Sequence, residues 1–271
     1  MAEVSRQCKT CGNLFIGNYC NNCGEKVIHA GDHSFRKLLI SLFTAFTFAD
    51  SKFIKTLWLV LRRPGFISHE FMEGRRVSYL NPLSLFFVLN LVYFLFPVIQ
   101  LFNASLNTQL FSPLGGFYRT ILTAKLASLG MDLSSFNLIY NLKTVGLAKL
   151  MVMVFVVTSS LPLNLLYRKH DRYFTDHVSY MVELACFNLF VNAIVLSVVA
   201  AFLGLGKYLN ELWLTAIFVS TNFYFLMVSG REFYHEKKWG LVAKSILMVF
   251  FLKVALELYR SILFFVTIWS L

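Results

Sequence analysis

Residues 145–166 read VGLAKLMVMVFVVTSSLPLNLL, a run in which Lys149 is the single charge. As a helix rising 1.5 Å per residue, such a run measures about 33 Å, close to the hydrocarbon thickness of a bilayer. Apolar stretches of similar kind recur at Leu83 to Phe102, Tyr180 to Leu203, Leu209 to Val228 and Leu241 to Leu271. Composition agrees: 57% hydrophobic residues, 17% aromatics and a mean hydropathy of +0.64 exceed what a soluble domain can hide. The expectation is an all-α membrane protein with five transmembrane helices over 83–271 and an outer loop at 103–144.

Lysine and arginine outside these stretches set the orientation. Residues 1–82 hold eleven, and the 167–179 and 229–240 loops hold three each (Arg168, Lys169, Arg172; Arg231, Lys237, Lys238). The alternate loops hold Arg119, Lys125, Lys143 and Lys207. Cationic loops stay inside, so the N-terminus is expected in the cytoplasm and the C-terminus outside. The start of the chain, polar and cysteine-rich, does not read as a cleavable signal peptide. The formal charge of +11 follows from topology and attraction to anionic phospholipids. Nucleic acid is not implied, because no basic and aromatic strip accompanies the cysteines.

Those cysteines form a separate motif. Cys8-x-x-Cys11-Gly12 and Cys20-x-x-Cys23-Gly24 lie within the expected domain 1–30, and Cys186 is the one other cysteine. Each Cys-x-x-Cys turn aims two thiolates at one ion, and the following glycine permits the tight backbone. Gly17-Asn18 fits a turn between short strands. Four thiolates suit Zn2+, with iron in a rubredoxin-like site or a disulfide framework as competing readings. A cytosolic location keeps thiols reduced and favours zinc.

Residues 31–82 connect the cysteines to the first span. An apolar stretch runs from Ser34 to Ala49, a helix is expected over Lys52 to Arg62 behind a cap at Asp50 or Ser51, and Arg63-Pro64-Gly65 ends it. A short helix from Phe66 to Glu73 precedes Gly74-Arg75-Arg76. Amphipathic helices of this kind lie in the interface, with Arg62, Arg63, Arg75 and Arg76 meeting lipid phosphates. The arginines also read simply as the positive-inside signal of the first span.

Several of these residues carry a family resemblance. Cys8-x-x-Cys11-Gly12, Tyr19-Cys20-x-x-Cys23-Gly24, Thr56 with Arg63-Pro64-Gly65, and Gly74-Arg75-Arg76-x-x-Tyr79-x-x-Pro82 resemble a bacterial family of membrane proteins of unknown function with an N-terminal zinc ribbon, domain of unknown function 3667. Tyr173-Phe174-Thr175-Asp176-His177 is similar to the family's acidic and histidine pair, while Glu183 and Ala185 stand where its pattern has histidines. The resemblance implies a zinc-ribbon membrane protein and no particular activity.

Two polar groups interrupt the apolar segments. Asp176, Tyr180 and Glu183 share a helical face flanked by His177, with His170-Asp171 just before. Asp176, His177 and Glu183 form a candidate second site for a metal or a general base. The plainer reading gives Thr175 and Asp176 to capping and His177 to local hydrogen bonds. Lys253, Glu257 and Arg260 lie on one face of the last segment, as an ion path or as a structural pair within the bundle. Asn90, Asn164, Asn188, Asn192 and Asn222 read as interhelical glue. The 103–144 loop is long enough to hold structure of its own, an amphipathic hairpin from Phe117 to Tyr140. Gly-rich phosphate loops, nucleophile elbows and zinc-protease helices do not occur in the sequence.

The expected role is that of a non-enzymatic adaptor or membrane-organising protein of the bacterial inner membrane, its zinc ribbon docking a protein partner. A transporter or channel for a small solute, ion or lipid is the alternative through Lys253 and Glu257, and a membrane-embedded metal-dependent enzyme the alternative through Asp176, His177 and Glu183.

Overall fold

The computed structural model describes residues 5–8, 11–22, 52–73, 78–95, 102–103, 105–112, 114–168, 172–204, 211–236 and 238–271. Two compact units divide the chain, Met1–Ser51 and Lys52–Leu271.

In the first unit, strands β1 (Arg6–Gln7) and β2 (Leu14–Phe15) pair antiparallel, Arg6 opposite Phe15 and Gln7 opposite Leu14. The connection is the first cysteine turn itself: Cys8 N–H donates to Asn13 O and Gly12 N–H to Cys8 O, both at 2.9 Å. Gly12 adopts φ 72°, a left-handed conformation that glycine takes without steric cost. The Gly17-Asn18 bend follows β2 and leads to Tyr19 in an isolated bridge.

The second unit is helical. It begins with α1 (residues 52–62), whose end at Arg62 is set by Pro64 and Gly65, and continues with α2 (Phe66–Met72) and α3 (Pro82–Leu95). Val60 and Ile67 are fully buried in the main core, so α1 and α2 pack into the unit, and the layer expected at 31–82 divides at Ser51. The apolar stretch from Ser34 to Ala49 and the cap at Asp50 or Ser51 lie outside the described residues, as do Cys23, Arg75, Arg76, His170 and Asp171.

Next come α4 (Leu106–Leu110), α5 (Gly115–Leu129) and α6 (Leu133–Leu166). The expected hairpin is present as α5 and the start of α6, turning at Gly130 with φ 61°. Its second arm does not stop before the span. Asp132 accepts from Ser134 and Ser135 N–H at 3.1 and 3.3 Å, and from that cap α6 runs unbroken for about 50 Å. Hydrogen bonds from the Ser134 and Ser135 side chains, with these main-chain donors behind them, hold the exposed Asp132 carboxyl at about 2, below its ordinary value.

An α-helix α7 (Phe174–Asn188), a π-helical segment (Leu189–Val195) and α8 (Leu196–Phe202) form one continuous rod. Then follow α9 (Glu211–Glu232) and α10 (Lys238–Ser270), the latter packed along α6 and α9. Among the described residues, three helices are long and apolar enough to cross a membrane: Leu133–Leu166, Phe174–Phe202 and Leu212–Glu232. Two of the five expected spans do not meet that standard. Helix α3 is described over 14 residues, about 21 Å, and the middle of α10 carries Lys253, Glu257 and Arg260 within eight positions. A smaller core of Leu106, Tyr118, Leu122, Phe136, Tyr140, Phe264 and Ile268 joins α4 and α5 to the far ends of α6 and α10.

Candidate functional site

The cysteines come together as their spacing implies. The sulfurs of Cys8, Cys11 and Cys20 all lie within 4.8 Å of one another, with Cys11 Sγ 3.6 Å from Cys20 Sγ. That separation is far beyond a disulfide's ~2.05 Å and close to the ~3.8 Å edge of a tetrahedron with 2.3 Å metal–sulfur bonds. Cys8 and Cys20 are buried beside Phe15, while Cys11 is exposed. The donor set therefore fits one soft or borderline ion. Among the described residues this is the one group of three or more metal-ligating side chains drawn so close.

In the second unit the candidate residues go to separate partners. Glu183 is fully buried on α7 and receives Gly65 N–H at 2.9 Å, Ser68 N–H at 2.8 Å and the Ser68 hydroxyl at 2.5 Å. Gly65 precedes α2 with φ 85°, and a Cβ there would lie 2.8 Å from Ser229 Cβ on α9. Glycine is thus required twice, for the left-handed turn and for the close approach. The carboxylate sits at the positive start of α2 and satisfies amides that no side chain of that helix caps.

Asp176 instead caps its own helix, accepting Tyr173 N–H at 3.0 Å, so the cap is Asp176 on Tyr173 and not Thr175. His177 is buried, with Nδ1 2.6 Å from Tyr234 OH and the two rings stacked at 5.7 Å. Tyr167 also stacks on Tyr234, at 3.7 Å, and Lys244 Nζ lies 4.5 Å from the centre of the Tyr167 ring while also pairing with Glu236. Burial pushes both phenols up, so Tyr234 keeps its proton and its hydroxyl shares a hydrogen bond with His177 Nδ1. Tyr180 bonds Ser229 through their hydroxyls. Asp176 thus closes the start of α7 itself, while His177 and Glu183 hold α7 to Tyr234 and to the Gly65–Ser68 turn.

Of the basic residues before the first span, Arg62 is exposed, and Arg63 pairs with Glu232 at 2.9 Å while covering the Phe66 ring at 4.7 Å. Thr56 is buried and accepts Leu80 N–H at 2.9 Å, and Tyr79 stands edge-on to Phe66 with Lys55 over its face. The same segment matches a known family. Residues 50–94 fit the family model described as Protein of unknown function (DUF3667). The likeness to that family covers this segment, 45 of the 271 residues. No curated protein and no solved structure matches the chain. Within the matched block, Thr56 and Tyr79 fasten α1 and α2 to the segment that leads into α3, while Gly65 lets that block meet Ser229 on α9 and Glu183 on α7.

Lys253 and Arg260 both approach Glu257, at 3.0 and 3.3 Å, with the Lys253 and Glu257 side chains 35% and 37% exposed. Four of the five amides act as glue: Asn188 and Asn222 exchange hydrogen bonds at 2.8 and 2.9 Å, Asn192 joins Asn188 and Thr221, and Asn90 donates to Lys149 O at 2.7 Å. Ser68, Tyr167, Ser229 and Tyr234 were not legible as partners, because each meets its contact across long sequence separations and none carries a local motif.

Proposed function

We propose that this is a non-enzymatic adaptor of the bacterial inner membrane, with a cytoplasmic zinc ribbon made by Cys8, Cys11, Cys20 and Cys23 that docks a protein partner. The observation that carries the reading is the fate of Glu183: both its oxygens are taken by Gly65 and Ser68, so the best-placed intramembrane carboxylate is a structural anchor. The cysteine group supplies the ribbon, and zinc bound there would hold the short hairpin rigid.

The proposed topology keeps five crossings, N-terminus inside and C-terminus outside, by adding α3 and α10 to the three long apolar helices. Trp239 and Trp269 support α10 as a crossing. They are 84% and 91% exposed and about 45 Å apart along the helix, the spacing of two aromatic interface belts. Lys253 and Glu257 then lie near mid-depth, which favours an ion or proton path as the second reading. Anionic lipid meets Arg62, with Arg63, Arg75 and Arg76 proposed beside it.

The test is affinity purification after in-cell crosslinking, comparing wild type with all four cysteines changed to Ser. The adaptor reading expects a defined set of partners to be lost while membrane insertion and yield persist. An unchanged partner set would refute it.

A further inference from the structure

A polar crevice of about 600 Å³ opens where α2 ends and α7 begins, within the ~300–1,000 Å³ range of small-molecule sites. Its lining combines one guanidinium, Arg172, with two carboxylates, Glu73 and Asp176, and a back wall of Ser68 and Ser179. Phe71 and Met72 provide apolar surface at the same crevice.

The charges are arranged for a ligand of both signs. Arg172 is held in place by its Nη2–H to Phe233 O at 3.3 Å, by Met72 Sδ and by the Phe233 ring at 5.4 Å. A guanidinium has five N–H donors, so three remain for an anion. Glu73 is exposed at the C-cap of α2 and forms no ion pair among the described residues, leaving its carboxylate for a cation with N–H donors. Asp176 uses one oxygen on Tyr173 N–H and keeps the other. Behind them, Ser68 is fixed by Glu183 and by the Ser179 carbonyl, so the wall does not need to reorganise when a ligand enters.

Depth narrows the chemistry. The crevice lies at the first turns of the Phe174–Phe202 helix, the level of lipid headgroups if that helix crosses a bilayer. We propose that the crevice binds a phosphoethanolamine group, its phosphate on Arg172 and its primary ammonium on Glu73 and Asp176, with Phe71 and Met72 against the first carbons of an attached chain. Carboxylates select the primary ammonium over choline, which has no N–H to donate. A purely anionic headgroup would meet two carboxylates without compensation.

The experiment is native mass spectrometry of the full-length protein in mild detergent, titrated with short-chain phosphatidylethanolamine, phosphatidylglycerol and phosphatidylcholine, and with free O-phosphoethanolamine. Phosphatidylethanolamine should bind at least tenfold tighter than the other two lipids. Glu73→Gln, conservative and exposed, should weaken it about tenfold, the loss expected for one charge-assisted hydrogen bond, and should strengthen phosphatidylglycerol by removing a like charge. Arg172→Met should weaken every phosphate ligand. Preference of the lipid over free phosphoethanolamine identifies the membrane as the source, and equal binding identifies a soluble ligand; both support the site. Equal binding of all three lipids, or a Glu73→Gln protein indistinguishable from wild type, overturns it.

Discussion

Glu183 on α7 accepts both the main-chain N–H and the hydroxyl of Ser68 on α2, at 2.8 and 2.5 Å, across 115 positions of sequence. One buried carboxylate thereby replaces a local cap for α2. Removing it strands two main-chain donors, Gly65 N–H and Ser68 N–H, away from water, and leaves the Ser68 hydroxyl only the Ser179 carbonyl at 3.3 Å. Glu183→Ala should cost about 3 kcal/mol or more, and Glu183→Gln, which keeps one acceptor oxygen, roughly half as much. Thermal unfolding in detergent measures both. A Glu183→Gln protein as stable as wild type would contradict the anchor.

Gly65 should be equally intolerant. Alanine there meets the left-handed penalty of about 1–2 kcal/mol and a Cβ 2.8 Å from Ser229 Cβ, an overpacking worth about 1–3 kcal/mol more. Ser229→Gly should relieve only the second part. A Gly65→Ala melting temperature that Ser229→Gly restores completely would show that φ carries no strain.

His177 is predicted to stabilise through its bond and stacking to Tyr234. His177→Phe keeps the stacking and loses the hydrogen bond, so about 1–3 kcal/mol should disappear with no change in bound metal. Loss of a metal ion on this substitution would assign His177 a ligand role instead.

The Asn188 and Asn222 amides exchange two hydrogen bonds between α7 and α9. Either Asn→Leu change alone leaves its partner amide without that exchange, and the double change removes both. In a double-mutant cycle the coupling should be about 0.6–1.7 kcal/mol, the range for buried polar pairs in membrane helices. Strict additivity would mean that the two amides do not support each other.

Much of the framework could be read from residue order. Pro64 and Gly65 ended the 52–62 helix, the cysteine spacing foretold a cluster, and the asparagines were identified as glue because amides in apolar helices have few other uses. The last expected span differs for a local reason: charges crowd the centre of α10. The α6 helix extended beyond its apolar run because Asp132 caps a polar first arm that continues in phase with the span. The site residues were harder. Helical spacing placed Asp176, His177 and Glu183 close on one rod, yet their partners are Tyr173, Tyr234 and Ser68, and only the fold brings the last two near. The π-helical turn at Leu189–Val195 has no signature in composition at all.

Elemental analysis of the purified full-length protein, beside a form with Cys8, Cys11, Cys20 and Cys23 all changed to Ser, tests the central claim most directly. An adaptor with a structural ribbon and no second metal site predicts one zinc per chain in the wild type and none in the substituted form. A metal that survives the four substitutions would contradict it, and would return Asp176, His177 and Glu183 to consideration as ligands.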